Sequence, residues 1–279
     1  MQAKTILTVL GVEQSPGALD AAIEFCRQTE THLSVLIIGH APPPPAVTYG
    51  GLSADLWVEA TEAAREKIAA SREAAEAHLQ KAGISSDVAT EITPTSLIDD
   101  EVGRRARYAD LTIIAADAET ENAVDDHKVA NGVLFAASKP LLLMRKPSAS
   151  IGKPKRIILG WDASREAAKA AHEAIGLMRD ADEVRIALID PEPINDGHGP
   201  EPGSDIATFL ARHGIAVVVD RIASGGRSIS DCLMQVAGDH SADLVVMGGY
   251  GHSRLRERIF GGTTEAMLKQ DKVPVLMMH

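Results

Sequence analysis

Aromatic residues are scarce in this sequence. Phe, Trp and Tyr make up 3% of the chain, whereas 45% of its residues are hydrophobic. A core built mainly from Ala, Ile, Leu and Val is typical of helices packed on buried parallel sheets. Cysteine is also rare, and Cys26 and Cys232 lie far apart in sequence. We therefore expect neither a disulfide scaffold nor a cysteine-based metal site, and a cytoplasmic location is expected.

The chain also lacks a basic charge balance and a long apolar run. Its formal net charge is −11, which argues against nonspecific binding to nucleic acid or to an anionic membrane surface. No apolar run approaches the roughly 18 residues of a transmembrane helix. The short apolar run near the amino end is expected to be a strand and not a secretory signal. The sequence predicts a soluble protein with neither nucleic acid nor membrane as a partner.

Several signatures of chemistry are missing as well. None of the ten histidines forms an HxH or HxxxH pair, so no metal site is predicted. No Walker lysine follows a glycine loop, and the pattern reveals no Ser/His/Asp set. The sequence thus predicts no catalytic residue.

What the sequence does contain is one pattern that occurs twice. An apolar strand, a glycine, an acidic residue and a serine that opens an Ala-rich helix occur at 8–25 and again at 157–175. Further along, "YADLTIIAAD" (108–117) matches "SADLVVMGGY" (241–250), and both halves close on a Pro-led apolar strand. We infer a duplicated unit with domains at residues 1–147 and 151–279.

Each half alternates apolar strands with helical segments. Continuous apolar strands such as "LTIIAA" and "LVVMG" indicate burial on both faces of a sheet. The pattern predicts an α/β fold of two tandem doubly wound domains, each with a five-stranded parallel sheet. The closing strands "PLLLM" and "PVLMM" would otherwise be exposed edges, so we expect them to pair within the chain as an internal pseudo-dimer. A homodimer through another face stays open.

The stretch "GGYGHSRLRERIFGGTT" (248–264) combines glycines with positive charge directly after an apolar strand. Glycine lets backbone approach a phosphate closely, and the free N–H groups at a helix start favour an anion. In doubly wound sheets, ligands bind beyond the carboxyl ends of the strands, where the strand order reverses. A phosphate cradle is one interpretation of this stretch, and a flexible surface loop is the other.

The glycine spacing resembles the G-2x-G-9x-G-[S/T] signature of the universal stress protein family, with Gly248, Gly251 and Gly261 at its glycine positions. The resemblance covers nearly the whole chain, as a tandem member. It implies an adenine nucleotide alpha hydrolase-like fold that binds ATP or a related adenine nucleotide, with or without Mg²⁺. It also implies that Asp162 lies near the ribose and phosphates and that backbone around Ile189 lies near adenine. The three glycines would hold ribose and phosphate.

The chain departs from that family pattern in two places. Gly262 occupies the Ser/Thr position, so the usual hydroxyl is missing there, and Thr263 follows it as a further candidate residue. In the first half, alanines and acidic residues fill the equivalent loop (115–126), which predicts a degenerate copy that holds no nucleotide. Between the glycines, His252 and Arg254 either contact phosphate or belong to a solvated loop.

Three functions follow from these observations. The first is a stress-response regulatory protein that binds ATP in its second domain and acts through an unknown protein partner. The second is a weak ATP hydrolase, for which the sequence predicts at most slow turnover. The third is a nucleotide-free interaction scaffold, because the Ser/Thr position is lost.

Overall fold

The computed structural model of the chain describes residues 3–12, 14–41, 54–115, 124–144, 146, 151–191, 201–249 and 262–279. Within these residues, the first half contains β1 (Thr5–Gly11), α1 (Asp20–Thr29), β2 (His32–His40), α2 (Ala54–Ala82), β3 (Ser86–Thr93), α3 (Ile98–Ala106), β4 (Leu111–Ile114), α4 (Asp126–Asn131) and β5 (Leu141–Leu143). The second half contains β6 (Arg156–Gly160), α5 (Arg165–Arg179), β7 (Glu183–Ile189), α6 (Ser204–Arg212), β8 (Val217–Ile222), α7 (Ile229–Asp239), β9 (Leu244–Gly248), α8 (Gly262–Lys269) and β10 (Val275–Met278). The alternation of strands and helices predicted from the sequence is confirmed.

All of these strands belong to one sheet, in the order β3-β2-β1-β4-β5-β10-β9-β6-β7-β8. The strands within each half are parallel, and the first strand of each half lies between its second and fourth strands. The halves meet where β5 and β10 pair antiparallel, with Val275 opposite Leu143. The predicted pairing of the two closing strands is therefore confirmed. The two predicted five-stranded sheets are present as the parallel halves of one ten-stranded sheet.

A hydrophobic core covers each face of this sheet. Ile6 and Ile157 belong to one cluster, whereas the next residue of each strand, Leu7 or Ile158, belongs to the other. This alternation follows from the strand geometry, in which successive side chains point to opposite faces. Each cluster contains residues from both halves, so the two halves share both cores.

An acidic residue fixes the start of the first strand in each half. Asp110 accepts hydrogen bonds from the backbone N–H groups of Lys4 and Thr5 at 2.7 and 3.0 Å. Asp243 accepts two such bonds, both of 2.9 Å, at the start of β6. The backbone hydrogen bonds from Lys4 and Thr5 lower the pKa of Asp110. The sequence match between these two acidic residues thus corresponds to the same contact in the structure.

The described helices include none that combines the length and the apolar character that crossing a bilayer requires.

Candidate functional site

The candidate site lies where the strand order of the second half reverses. β6 pairs with β7 on one side and with β9 on the other. Asp162 follows β6, Ile189 ends β7 and Gly248 ends β9. The carboxyl ends of neighbouring parallel strands meet at one edge, so these three predicted site residues lie at the same edge of the sheet. Ligands of doubly wound folds bind at such a reversal point.

The loop after β6 is shaped by its own side chains. The carboxylate of Asp162 accepts a hydrogen bond from the backbone N–H of Ser164 at 3.0 Å. Ser164 in turn caps α5, because its hydroxyl accepts from the N–H of Ala167 at 3.1 Å. Ala163 between them has a positive φ of 58°. Asp162 is exposed at this turn, and Ser164 is the serine with which the sequence pattern opens this helix.

Gly248 is required by close packing of β9 on α5. A Cβ atom at this position would lie 2.5 Å from the backbone nitrogen of Ala167 and 2.8 Å from the carbonyl carbon of Glu166. Both neighbours are backbone atoms in the first turn of α5, so a side chain is accommodated only if the helix moves. The structure thus gives this glycine a packing role that the sequence interpretation did not include.

Glu166, in the first turn of α5, is buried, and yet the pKa of its carboxyl is lowered. Burial alone would raise the pKa of its carboxyl. The hydrogen bond from its own backbone N–H and the ion pair with Arg165, at 2.9 Å, outweigh that effect. Glu166 is therefore a carboxylate at the amino end of α5.

The end of β7 is tied to the turn that follows β8. Ile189 is half-buried and pairs with Ile222. The next residue, Asp190, has a positive φ of 45° and accepts a 2.9 Å hydrogen bond from the N–H of Ser224. Its pKa is lowered, chiefly by its hydrogen bonds with Ser224. The segment "SGGRS" (224–228) is a turn at the same sheet edge as the candidate site.

Gly262 is the first residue of α8. Among the described residues, and apart from its chain neighbours and the backbone of its own helix, no atom lies within 4 Å of the position that a Cβ would take here. Gly262 is exposed and Thr263 is half-buried, whereas Thr264 is buried. The described residues therefore leave room for a small side chain at the start of this helix.

Four predicted site residues lie outside the described residues: Gly251, His252, Arg254 and Gly261. Their roles stay predictions.

The first half differs at the corresponding helix start. Asp125 caps α4, because its side chain accepts from the N–H of His127 at 2.9 Å. Asp126 follows in the first helical turn and is buried. Carboxylates therefore occupy the helix start at which the second half has Gly262. Most of the preceding loop, residues 116–123, lies outside the described residues.

Sequence reasoning missed His279 at the second-half site. Its ring Nδ1 donates to the carbonyl of Gly249 at 3.2 Å, and its ring lies against Phe135 of the first half, with centroids 4.3 Å apart. Only the antiparallel pairing of β5 and β10 places these residues together. No local pattern in the sequence indicates this contact.

The structure also forms a Ser/His/Asp hydrogen-bond chain that the sequence pattern did not reveal. His32 lies 2.8 Å from the hydroxyl of Ser85 through Nδ1 and 2.7 Å from the carboxylate of Asp87 through Nε2. The sequence separations are 53 and 55 residues, and the register of β2 and β3 brings the groups together. The side chain of Asp87 is 54% exposed, whereas nucleophilic catalysis needs a site that excludes water and stabilises an oxyanion. We assign this set to holding the edge strand β3 on the sheet.

Within the part of the chain that the structure describes, no group of three or more His, Cys, Asp or Glu side chains is arranged to hold a metal ion.

Comparison with known proteins agrees with this architecture. A family model described as the universal stress protein family matches residues 153–279. Universal stress protein Slr1230 of Synechocystis sp. is 25% identical over 172 residues, which cover 60% of this chain and 57% of that protein. The chain thus matches little more than half the length of this relative.

Two solved structures share the fold over nearly the whole chain. A universal stress protein from Archaeoglobus fulgidus matches with a TM-score of 0.67 at 16% identity, over 99% of this chain and 98% of that one. A functionally unknown protein from Pseudomonas aeruginosa matches with a TM-score of 0.57 at 18% identity, over 98% of this chain and 92% of that one.

The fold is therefore the doubly wound α/β type with adenine nucleotide alpha hydrolase-like architecture. Within that class, the second half of the chain belongs to the universal stress protein family, as its glycine spacing predicts.

Proposed function

We propose that the second half of this protein binds an adenine nucleotide, ATP or a close relative, and that the protein acts as a stress-response regulator. The observation that carries the proposal is the reversal of strand order between β6 and β9, with Asp162 and Gly248 at that edge. The family match supports a role in the response to stress.

The described residues at this edge fit the parts of such a ligand. Gly262 leaves open space at the start of α8, where backbone N–H groups and the helix dipole favour phosphate. Backbone around Ile189 would contact adenine, and Asp162 would lie near the ribose and phosphates. Gly248 contributes by letting β9 approach the first turn of α5 closely.

We infer that the nucleotide acts as a switch or a stabiliser and is not rapidly consumed. Fast phosphoryl transfer needs a positioned base or water-orienting group, together with metal and basic charge around the γ-phosphate. Mg²⁺, if bound with ATP, would neutralise phosphate charge, and the carboxylate of Asp162 would hold it. A single carboxylate in that role is not also available as a base. We expect turnover far below the roughly 1–100 s⁻¹ of kinases.

We also propose that the chain consists of two tandem universal-stress-like domains, residues 1–147 and 151–279, of which only the second holds nucleotide. The shared strand order of the two halves supports the duplication. The carboxylates at the start of α4 support the loss of the site in the first half, because negative charge repels a polyphosphate.

Mass spectrometry of the purified protein after denaturation tests the proposal against a nucleotide-free scaffold. We expect a co-purified adenine nucleotide, or binding of added Mg·ATP by calorimetry. Phosphate release followed over hours then separates a regulator from a hydrolase. Turnover of several per second that is lost in Asp162→Ala, with folding intact, would make the protein an ATPase.

A further inference from the structure

The first half of the chain contacts the second half at Gly249, the residue that follows β9, and at His279. Because β5 and β10 run antiparallel, the segment that leads into β5 lies beside the carboxyl end of β10. That segment is a π-helical turn, Gly132–Ala136, which follows α4 directly. Turns of this type are uncommon and occur frequently at functional sites.

Two side chains of this turn reach the second half. Leu134, which is fully buried, lies 3.5 Å from the position that a Cβ on Gly249 would take. Phe135 packs its ring on the ring of His279, with the ring planes inclined by 55°. An aromatic pair of this kind contributes beyond the area that it buries.

His279 links this contact to the backbone of Gly249. A carbonyl oxygen only accepts hydrogen bonds, so the Nδ1 of His279 must carry the proton in its bond to Gly249. The backbone of Gly249 is also bonded through its N–H to the carbonyl of Met278 at 2.9 Å. The carbonyl of His279 accepts from the Nζ of Lys169 at 2.9 Å. Both the N–H and the C=O of Gly249, directly after β9, are thus hydrogen-bonded.

The position of Phe135 is itself tightly determined. The π-helical turn packs on α3 through two glycines, Gly103 and Gly132. A Cβ on Gly103 would lie 2.6 Å from the Cβ of Ala136, and a Cβ on Gly132 would lie 2.5 Å from the carbonyl oxygen of Asp99. This close approach leaves the backbone of the turn little freedom, so packing within the first half fixes where the backbone of Phe135 lies.

We propose that Phe135 is a positioning residue for Gly249, directly after β9 at the edge of the proposed nucleotide site, and that it acts through His279. This inference rests on the proposed nucleotide site. It gives the first half a role in binding although its own loop has lost the glycines. The nucleotide site then depends on a side chain more than 100 residues away in sequence, supplied by the half that binds no nucleotide.

The test compares Phe135→Ala with two controls in the full chain. Phe135→Tyr keeps the ring, and its hydroxyl can reach water because Phe135 is 45% exposed. Leu97→Ala removes an apolar side chain that is also 45% exposed, but away from the contact with His279. Two quantities are measured for each variant: the affinity for Mg·ATP by calorimetry, and hydrogen exchange of peptides containing Gly248 and Gly249 in nucleotide-free protein.

We expect Phe135→Ala to weaken ATP binding about three- to tenfold and to speed exchange by a similar factor, the size of a lost aromatic pair. Phe135→Tyr should restore both values, and Leu97→Ala should change neither. Unchanged exchange in Phe135→Ala would overturn the inference, and so would faster exchange with unchanged affinity. If the wild type binds no ATP, the proposed function fails. The exchange data then still decide whether Phe135 positions Gly249.

Discussion

Adjacent glycines at the end of β9 provide a matched pair for testing how the site is built. A methyl group added at Gly248 would lie 2.5 Å from the backbone nitrogen of Ala167, whereas one added at Gly249 would lie no closer than 3.5 Å to Leu134. Carbon atoms in favourable contact are about 3.5–4.0 Å apart. The first substitution therefore overlaps a neighbour by about 1 Å, and the second makes an ordinary contact.

The two substitutions should differ clearly in stability. Overpacking against rigid backbone costs about 1–3 kcal/mol, and we expect Gly248→Ala at the upper end because the first turn of α5 must move. Gly249→Ala should stay within about 0.5 kcal/mol, since the lost freedom of the unfolded chain offsets a small strain. A loss of about 3 kcal/mol corresponds to a Tm lower by roughly 6–12 °C. Scanning calorimetry of nucleotide-free protein measures this difference, and equal Tm values for the two variants would refute the packing argument.

Three further predictions follow from the described contacts. Gly262→Ser supplies the missing hydroxyl where the described residues leave room for it. It should tighten Mg·ATP binding about tenfold in calorimetry, as expected for one hydrogen bond to a charged group. Gly262→Ala should not tighten binding, and equal affinities of the two variants would contradict the proposed phosphate position. Asp110→Ala should destabilise the protein by about 1 kcal/mol at pH 7. The bonds from Lys4 and Thr5 lower the folded-state pKa of Asp110, so its contribution is present above the unfolded value of about 3.9 and is lost as pH falls through the folded pKa. Urea unfolding at pH 7 and pH 2.5 should therefore show a larger difference between wild type and variant at pH 7 than at pH 2.5. Burial raises the pKa of the Cys26 thiol to about 11, so a disulfide reagent at pH 8 should label it only after unfolding, and labelling within seconds in the native state would contradict its burial.

The sequence predicted the strands and helices well because the local signals agreed with the fold. Continuous apolar runs marked strands buried on both faces, such as β4 and β9. Ser164 marked the start of α5 by its capping chemistry. The pairing of the two closing strands also followed from sequence, because two apolar edges in one chain satisfy each other.

Other features depend on distances that no local pattern encodes. Gly248 was interpreted as a ligand-binding glycine, whereas the structure adds a packing requirement set by the approach of β9 to α5. The contact between Phe135 and His279 joins residues of different halves and exists only because β5 and β10 are antiparallel. The hydrogen bond between the side chains of His32 and Ser85 likewise depends on strand register. Packing and register across the sheet, and not residue type, determine these features.

We propose one nucleotide site per chain, in the second half. Titrating the full chain with Mg·ATP in a calorimeter tests this. We expect saturable binding with a stoichiometry near one. Absence of binding at millimolar ATP would contradict the nucleotide site itself. A stoichiometry near two would contradict the inference that the carboxylates at the start of α4 exclude nucleotide from the first half.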